Sequence, residues 1–376
     1  MNYMPVIPER LRLNSAQEII DEARAGRPFI LVDDEDRENE GDIVIPAQFA
    51  TAEAVNFMAR NARGLICLAL TQQRVSHLHL SPMAQSNAAS RYQTAFTLSI
   101  EARSGVTTGI SAADRARTIA VAINAESTAN DIVTPGHIFP LIAREGGTLI
   151  RAGHTEAAVD VARIAGLNPS GVICEIMNED GSMSRLPQLL KFAHQHKLKL
   201  GTIADLIAYR LRTERLVELV VSSGLHHPAF GEWRMMIYRD TVEGGEHIVL
   251  AKGDLARPDP VPVCIHMADP IGDTLLGRSS RALEGAMNKI TRQSRGVIVI
   301  INDPRRDALS ERIKNGSPHA RPGRSLREYG VGAQILVDLG VTDMVIISDR
   351  DQNFVGLDGF GLNIVGQMPS SLLARK

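Results

Sequence analysis

Cysteine, excess charge of one sign and long apolar runs are all scarce in this chain, and each scarcity argues against a class of protein. Only three cysteines occur in 376 residues, which favours buried thiols over a disulfide framework or a cysteine-based zinc site. The formal net charge of −2 argues against a nucleic-acid-binding surface. No apolar run is long enough to span a bilayer, and the first residues lack the features of a signal peptide. We therefore expect a cytoplasmic protein that binds neither nucleic acid nor membrane.

The chain is long enough for two domains, each with its own core. We place the boundary at Leu211, after a predicted helix over residues 203–210, which gives domains of residues 1–211 and 212–376. No proline-rich or Gly/Ser linker marks this boundary, and no internal repeat is present.

Strand and helix signals alternate along the chain, which predicts an α/β or α+β fold in both halves. Capping boxes at Ser111 and Thr202 predict helices from Ala112 and Ile203, and Thr155 can cap a third helix. Apolar runs predict strands over residues 65–70, 172–177, 261–266, 296–301 and 343–347, and a further capping box at Ser325 predicts a helix in the second half.

The richest chemical signal is residues 33–42, where seven carboxylates and one arginine stand between two short apolar runs. A lone acidic run is usually a solvated loop. Flanking strands would instead hold these charges close together at the edge of a sheet, and such crowding favours a compensating cation. Oxygen ligands suit Mg²⁺ or Mn²⁺, and a phosphorylated substrate can supply more of them.

Three further features could join the acidic loop. Residues 151–155 offer a guanidinium, a hydroxyl and backbone N–H groups before a predicted helix, a combination that suits a phosphate. Alternatively, Thr155 could simply cap that helix and Arg151 could be solvated. His154 could add an imidazole ligand to a metal. His137 follows Pro-Gly and is either a surface residue or an acid-base catalyst. Glu175 lies among apolar neighbours and is either an exposed edge residue or a buried carboxylate with raised proton affinity.

Taken together, five segments resemble 3,4-dihydroxy-2-butanone-4-phosphate synthase of riboflavin biosynthesis, in the order of that family's motifs. The segments are residues 33–42, 107–115, 135–137, 151–155 and 172–175. The resemblance covers about residues 10–210. It implies a mixed-sheet α/β fold, a homodimer, and conversion of D-ribulose 5-phosphate to L-3,4-dihydroxy-2-butanone 4-phosphate and formate with Mg²⁺ or Mn²⁺.

The resemblance also implies roles for individual residues. It makes Glu38 and His154 the metal ligands, and it matches His137 and Glu175 to the family's essential residues. The substrate-binding residues that it implies are Arg37, Glu38, Asp42, Arg151, Ala152, Gly153, His154, Thr155 and Glu175. The other acids, Asp33 to Asp36 and Glu40, are left to loop shape and solvation.

The second half resembles GTP cyclohydrolase II, an α+β domain, most clearly in residues 325–336 and 356–362. That family binds zinc through three cysteines, and here Asp269, Ala282 and Glu284 stand at the corresponding positions. Cys264 alone cannot supply a zinc site. Ser325 replaces an expected aspartate, and residues 302–308 and 348–353 also diverge. We therefore expect no zinc and no cyclohydrolase activity.

Two alternatives remain open at this point. The protein could be bifunctional and also hydrolyse GTP, which requires zinc. It could instead be a regulator that binds a sugar phosphate without turning it over, although binding alone needs neither His137 nor Glu175.

Overall fold

The computed structural model describes residues 13–83, 94–271, 273, 280–305, 308–315, 324–349 and 360–370. The chain divides into two compact units, Met1–Tyr209 and Arg210–Lys376. Each unit contains one seven-stranded mixed sheet with helices, so the predicted α/β class is confirmed. No described helix has the length and hydropathy needed to cross a membrane.

The sheet of the first unit consists of β1 Phe29–Val32, β2 Gly41–Pro46, β3 Cys67–Thr71, β4 Ile100–Ala102, β5 Ile132–Ala143, β6 Ser170–Glu175 and β7 Leu200–Thr202. The strands lie in the order β4-β5-β3-β6-β2-β1-β7. β1 and β2 are buried along their whole length, because helices cover the sheet. The acidic loop is the connection between β1 and β2, and it therefore starts and ends on interior strands.

The helices of this region are α1 Ala16–Arg24, α2 Ala52–Phe57, α3 Gln72–His77, α4 Ala112–Ile123, α5 His154–Ile164, α6 Leu186–His196 and α7 Ile203–Thr213. The predicted starts of α4 and α7 are confirmed. The box before α4 is only half formed, because Ser111 accepts from Asp114 N while the Asp114 carboxylate turns to Thr107 and Gly109. Asp114 therefore holds the loop before α4 instead of closing the box.

The sheet of the second unit consists of β8 Val217–His227, β9 Gly231–Asp240, β10 Glu246–Lys252, β11 Val261–Met267, β12 Gly296–Ile301, β13 Asp343–Ile347 and β14 Asn363–Met368, with the order β14-β13-β11-β12-β10-β9-β8. Its helices are α8 Ser280–Gln293, α9 Ala308–Asn315 and α10 Arg324–Asp338. The predicted strands β11, β12 and β13 are present. The predicted cap at Ser325 is wrong, because α10 already includes Arg324.

The three cysteines are buried and free, as predicted. Cys67 and Cys174 lie on β3 and β6, and Cys264 lies on β11. Burial raises the pKa of each thiol. These groups therefore pack as small apolar side chains.

Candidate active site

Asp33 organises the acidic loop from inside. Its side chain is fully buried. Its carboxylate accepts the backbone N–H of Glu38 at 3.2 Å and that of Glu40 at 2.7 Å. Its own backbone N–H donates to Glu40 O. The prediction that Asp33 serves loop shape is therefore right, and the prediction that it is solvated is wrong, because the loop folds its N–H groups around this carboxylate.

Asp33, Glu38 and His154 form the only group of potential metal ligands found among the described residues. One ligand atom from each lies within 4.8 Å of the others. Arg37 Nη1 lies 2.6 Å from Asp33 Oδ2 and 2.6 Å from Glu38 Oε2, so a guanidinium bridges the two carboxylates. The pairing shows that these two carboxylates attract positive charge, as a cation site must.

The ring of His154 is suited to bind a metal. Its Nε2–H donates to the carbonyl of Leu31 at 3.2 Å, which leaves the lone pair on Nδ1. Metal-binding histidines commonly donate their other ring N–H to a carbonyl in this way. Burial lowers the pKa of His154 and so favours the neutral ring, which is the form that coordinates a cation. The donor set of two carboxylates and one imidazole fits Mg²⁺ or Mn²⁺.

Asp42 and Glu175 lie side by side on adjacent strands of the sheet. They are register partners on the antiparallel strands β2 and β6. Burial, and then the neighbouring Glu175 charge, raises the pKa of Asp42 well above its usual range. Asp42 Oδ1 has no hydrogen-bond partner among the described residues and lies 3.9 Å from His154 Nε2. Asp42 can therefore hold a proton next to the metal-ligand group.

Glu175 lies on β6, between β3 and β2, which excludes the edge-strand interpretation. It is partly buried, and its Oε2 accepts the backbone N–H of Leu65 at 2.8 Å. Gly64 allows the segment before Leu65 to come close to β6, because a Cβ at Gly64 would collide with the Glu175 backbone carbonyl. One side of the carboxylate is thus fixed by the protein, which orients the group for proton transfer.

Residues 151–155 form the entry to α5. The helix begins at His154 with Gly153 as its N-cap, so the prediction that Thr155 caps it is wrong. Thr155 is instead buried in the first turn. Gly153 has no side chain that could accept hydrogen bonds from the first N–H groups of the helix. Helix N–H groups without a side-chain cap can stabilise an anion. The hydroxyl of Thr155 was the capping signal in the sequence, whereas the observed N-cap is a glycine, which offers no side-chain signal.

Arg151 is held in place and is not freely solvated. Its Nη1 lies 2.7 Å from Glu156 Oε2, and its Nη2 donates to Thr94 Oγ1 at 3.3 Å. The other Glu156 oxygen accepts the backbone N–H of Arg144. The guanidinium is therefore pre-oriented, at a position just before the helix N-terminus.

His137 lies on β5 beside an acid that the sequence analysis did not identify. His137 Nδ1 is 2.7 Å from Glu101 Oε2, and Glu101 is 8% exposed. The other Glu101 oxygen accepts from Thr118 Oγ1 at 2.6 Å. A charged residue between the apolar Ile100 and Ala102 was the available signal, and it is the same signal that identified Glu175.

The sheet register relates His137 to Glu175. Phe139 on β5 and Ile173 on β6 both pair with Cys67 on β3. His137, two residues before Phe139, and Glu175, two residues after Ile173, therefore both lie toward the Cys67 end of β3.

Around the predicted zinc position, the described residues of the second unit include one cysteine, Cys264. His266 Nε2 and Asp269 N both contact Asp273 Oδ2, at 3.1 and 2.8 Å. Burial raises the pKa of the Cys264 thiol to about 12. Part of the predicted divergence from GTP cyclohydrolase II falls outside the described residues and stays a prediction. It concerns Gly272, residues 306–307, 350–353 and 356–359, and the side chains of residues 325–328.

Comparison with protein families gives one match for each half of the chain. Residues 17–209 match the family of 3,4-dihydroxy-2-butanone 4-phosphate synthase. Residues 218–369 match the GTP cyclohydrolase II family.

Relatives of known structure or name agree with these matches. A 3,4-dihydroxy-2-butanone 4-phosphate synthase from Pseudomonas aeruginosa is 45% identical over 96% of this chain and 100% of its own length. The crystal structure of RibBX, a two-domain synthase from A. baumannii, has a TM-score of 0.79 at 39% identity and covers 95% of this chain and 99% of its own. A synthase crystallised with two magnesium ions has a TM-score of 0.51 at 37% identity over 54% of this chain and 99% of its own.

Proposed function

The chain belongs to the 3,4-dihydroxy-2-butanone 4-phosphate synthase family, and from this membership we propose how its residues perform the reaction. It is a lyase of riboflavin biosynthesis that carries a GTP cyclohydrolase II-like domain. The proposed reaction converts D-ribulose 5-phosphate to L-3,4-dihydroxy-2-butanone 4-phosphate and formate. The observation that carries the proposal is the group of Asp33, Glu38 and His154 beside the facing acids Asp42 and Glu175.

Glu38 and His154 are the proposed ligands of Mg²⁺ or Mn²⁺. A bound divalent cation would stabilise negative charge that develops on the sugar oxygens. Glu38 is held toward this position by the N–H bond to Asp33, and His154 by the carbonyl of Leu31. A magnesium-bound relative supports the choice of ion. Arg37, which pairs with Glu38, is a proposed substrate-binding residue.

Asp42, Glu175 and His137 are the proposed proton carriers. Enolisation of a ketose, skeletal rearrangement and loss of formate each need a proton moved near neutral pH. The raised pKa of Asp42 supports its role as a proton donor, and Glu175 lies directly opposite it. His137 is the third carrier, with a ring that can accept or donate a proton.

The segment from Arg151 through Ala152, Gly153 and His154 to Thr155 is the proposed phosphate site. The oriented guanidinium of Arg151 supports this assignment, as do the uncapped N–H groups at the start of α5. A phosphate held there would orient the sugar carbons toward the acids and the ion. Such orientation contributes to catalysis by reducing the entropy lost at the transition state.

Residues 1–211 are the proposed synthase domain, and residues 212–376 a domain without cyclohydrolase activity. Asp269, Ala282 and Glu284 at the positions of the zinc thiolates support this proposal. We further propose a cytoplasmic homodimer. The apolar side chains of Ile110 and Leu98 are 56% and 42% exposed. They lie on segments that flank the pair of Glu101 and His137, and a second copy of the chain would cover them.

One substrate comparison tests both halves of the proposal. Purified full-length protein with Mg²⁺ is incubated separately with D-ribulose 5-phosphate and with GTP, and formate is measured by NMR. We expect one formate per ribulose 5-phosphate consumed, no formate from GTP, and no tightly bound zinc. Absence of formate from the sugar phosphate would leave only a binding role. Formate from GTP with bound zinc would instead make the enzyme bifunctional.

A further inference from the structure

Glu101 is fixed in one orientation by the residues around it. Thr118 is fully buried, accepts the backbone N–H of Ala102 at 3.1 Å and donates its hydroxyl proton to Glu101 Oε1 at 2.6 Å. The remaining oxygen, Oε2, lies 2.7 Å from His137 Nδ1. A chain of hydrogen bonds therefore connects the backbone of β4, through Thr118 and Glu101, to the imidazole ring of His137.

We propose that Glu101 is a positioning residue, which holds His137 in the Nδ1–H tautomer and presents Nε2 for proton transfer. An ionised carboxylate only accepts hydrogen bonds, so Nδ1 must carry the proton. Nε2 then has the lone pair, on a side chain that is 40% exposed. Carboxylates orient catalytic histidines in this way in other enzymes. The inference rests on the proposed role of His137.

The backbone of β5 is shaped to bring His137 to this acid. Ile100 pairs with Ile138, whereas the next residue, Glu101, pairs with Val133, so residues 134–137 form a bulge. Gly136 N donates to Ser99 Oγ, and this bond anchors the bulge on the segment leading into β4. Bulges commonly redirect a side chain next to an active site.

A loop packs against the pair from a third direction. Gly109 has a φ of +89°, and a Cβ there would collide with the carboxylate of Glu101 and with His137 Nδ1. Asp114 holds this loop by accepting from Thr107 N, Thr107 Oγ1 and Gly109 N. A solvated surface pair would need no such enclosure, and the enclosure limits exchange of the His137 bond with water.

The test compares Glu101→Gln with Glu126→Gln in the full-length protein. Glu126 is an exposed acid, so its substitution makes the same chemical change away from the pair. We expect Glu101→Gln to lower kcat for formate release about 10–100-fold, with little change in KM, the range found for residues that orient metal-bound histidines. The control is expected to keep the wild-type kcat.

A spectroscopic readout separates positioning from general damage. Protein with ¹⁵N-labelled histidine is expected to show an Nδ1–H tautomer for His137, assigned by its loss in His137→Asn. In Glu101→Gln this tautomer is expected to be lost or mixed, because the amide can present N–H to the ring. A tautomer unchanged in the variant, whatever happens to kcat, would overturn the proposal.

Two further observations keep the test decisive. If Glu101→Gln does not fold, Thr118→Val removes the hydroxyl that fixes the acid and accepts the N–H of Ala102, and it is expected to loosen the His137 tautomer and lower kcat by a smaller factor. If wild-type protein shows no turnover, the proposed function fails. The tautomer comparison still decides the role of Glu101 in that case.

Discussion

Replacing Glu175 with glutamine is expected to lower kcat about 10²–10⁴-fold, the contribution typical of a general acid or base. Glutamine has nearly the same shape as glutamate. Its amide oxygen can still accept the hydrogen bond from Leu65 N–H, which in the unchanged protein goes to Glu175 Oε2 at 2.8 Å. The change removes only the capacity to carry a proton. We expect D-ribulose 5-phosphate to bind with similar affinity, measured by calorimetry, while formate release falls.

The fold should tolerate this change well. Glu175 is one cause, after burial, of the raised pKa of Asp42, so a neutral side chain relieves repulsion between the two groups. We therefore expect no loss in thermal stability. Glu179→Gln is the matched control, because Glu179 is exposed and lies four residues along the chain. Turnover that is equal in the two variants would remove Glu175 from the mechanism.

Replacing Glu38 with glutamine is expected to weaken Mn²⁺ binding at least about 100-fold, because loss of a direct ligand exceeds the 10–100-fold effect of losing a group that only supports one. The carboxylate is a member of the group within 4.8 Å that includes Asp33 and His154. Mn²⁺ binding is measured by electron paramagnetic resonance titration, independently of activity. Formate release is expected to fall in parallel.

Glu35→Gln is the control for this prediction. Glu35 is an exposed acid of the same loop, so its substitution removes the same charge without touching the ligand group. If the loop attracted cations only through its total charge, both variants would weaken Mn²⁺ binding equally. That result would contradict the assignment of Glu38 as a ligand.

The regular elements could be predicted because their signals are local. A hydroxyl before an alanine-rich run placed the start of α4 at Ala112, and the apolar run of β12 matches Gly296–Ile301 in the structure. The start of α5 was misplaced, because its N-cap is Gly153, which has no side-chain capping signal, while Thr155 nearby has one.

The site required more than local signals. Within the acidic loop, nothing in the charge pattern shows that Asp33 turns inward, because its partners are backbone N–H groups exposed by the fold of the loop. Glu38 and His154 were assigned through family resemblance, since they lie 116 positions apart in the sequence. Glu101 could have been found, because it is an acid with an apolar residue on either side, as Glu175 is.

The most direct test of the metal-assisted site is formate release before and after chelation. Full-length protein is treated with EDTA, the chelator is removed, and turnover of D-ribulose 5-phosphate is followed by NMR. We predict that chelated protein releases no formate and that Mg²⁺ restores the original rate. Full turnover by protein shown by elemental analysis to be free of divalent metal would contradict the central claim.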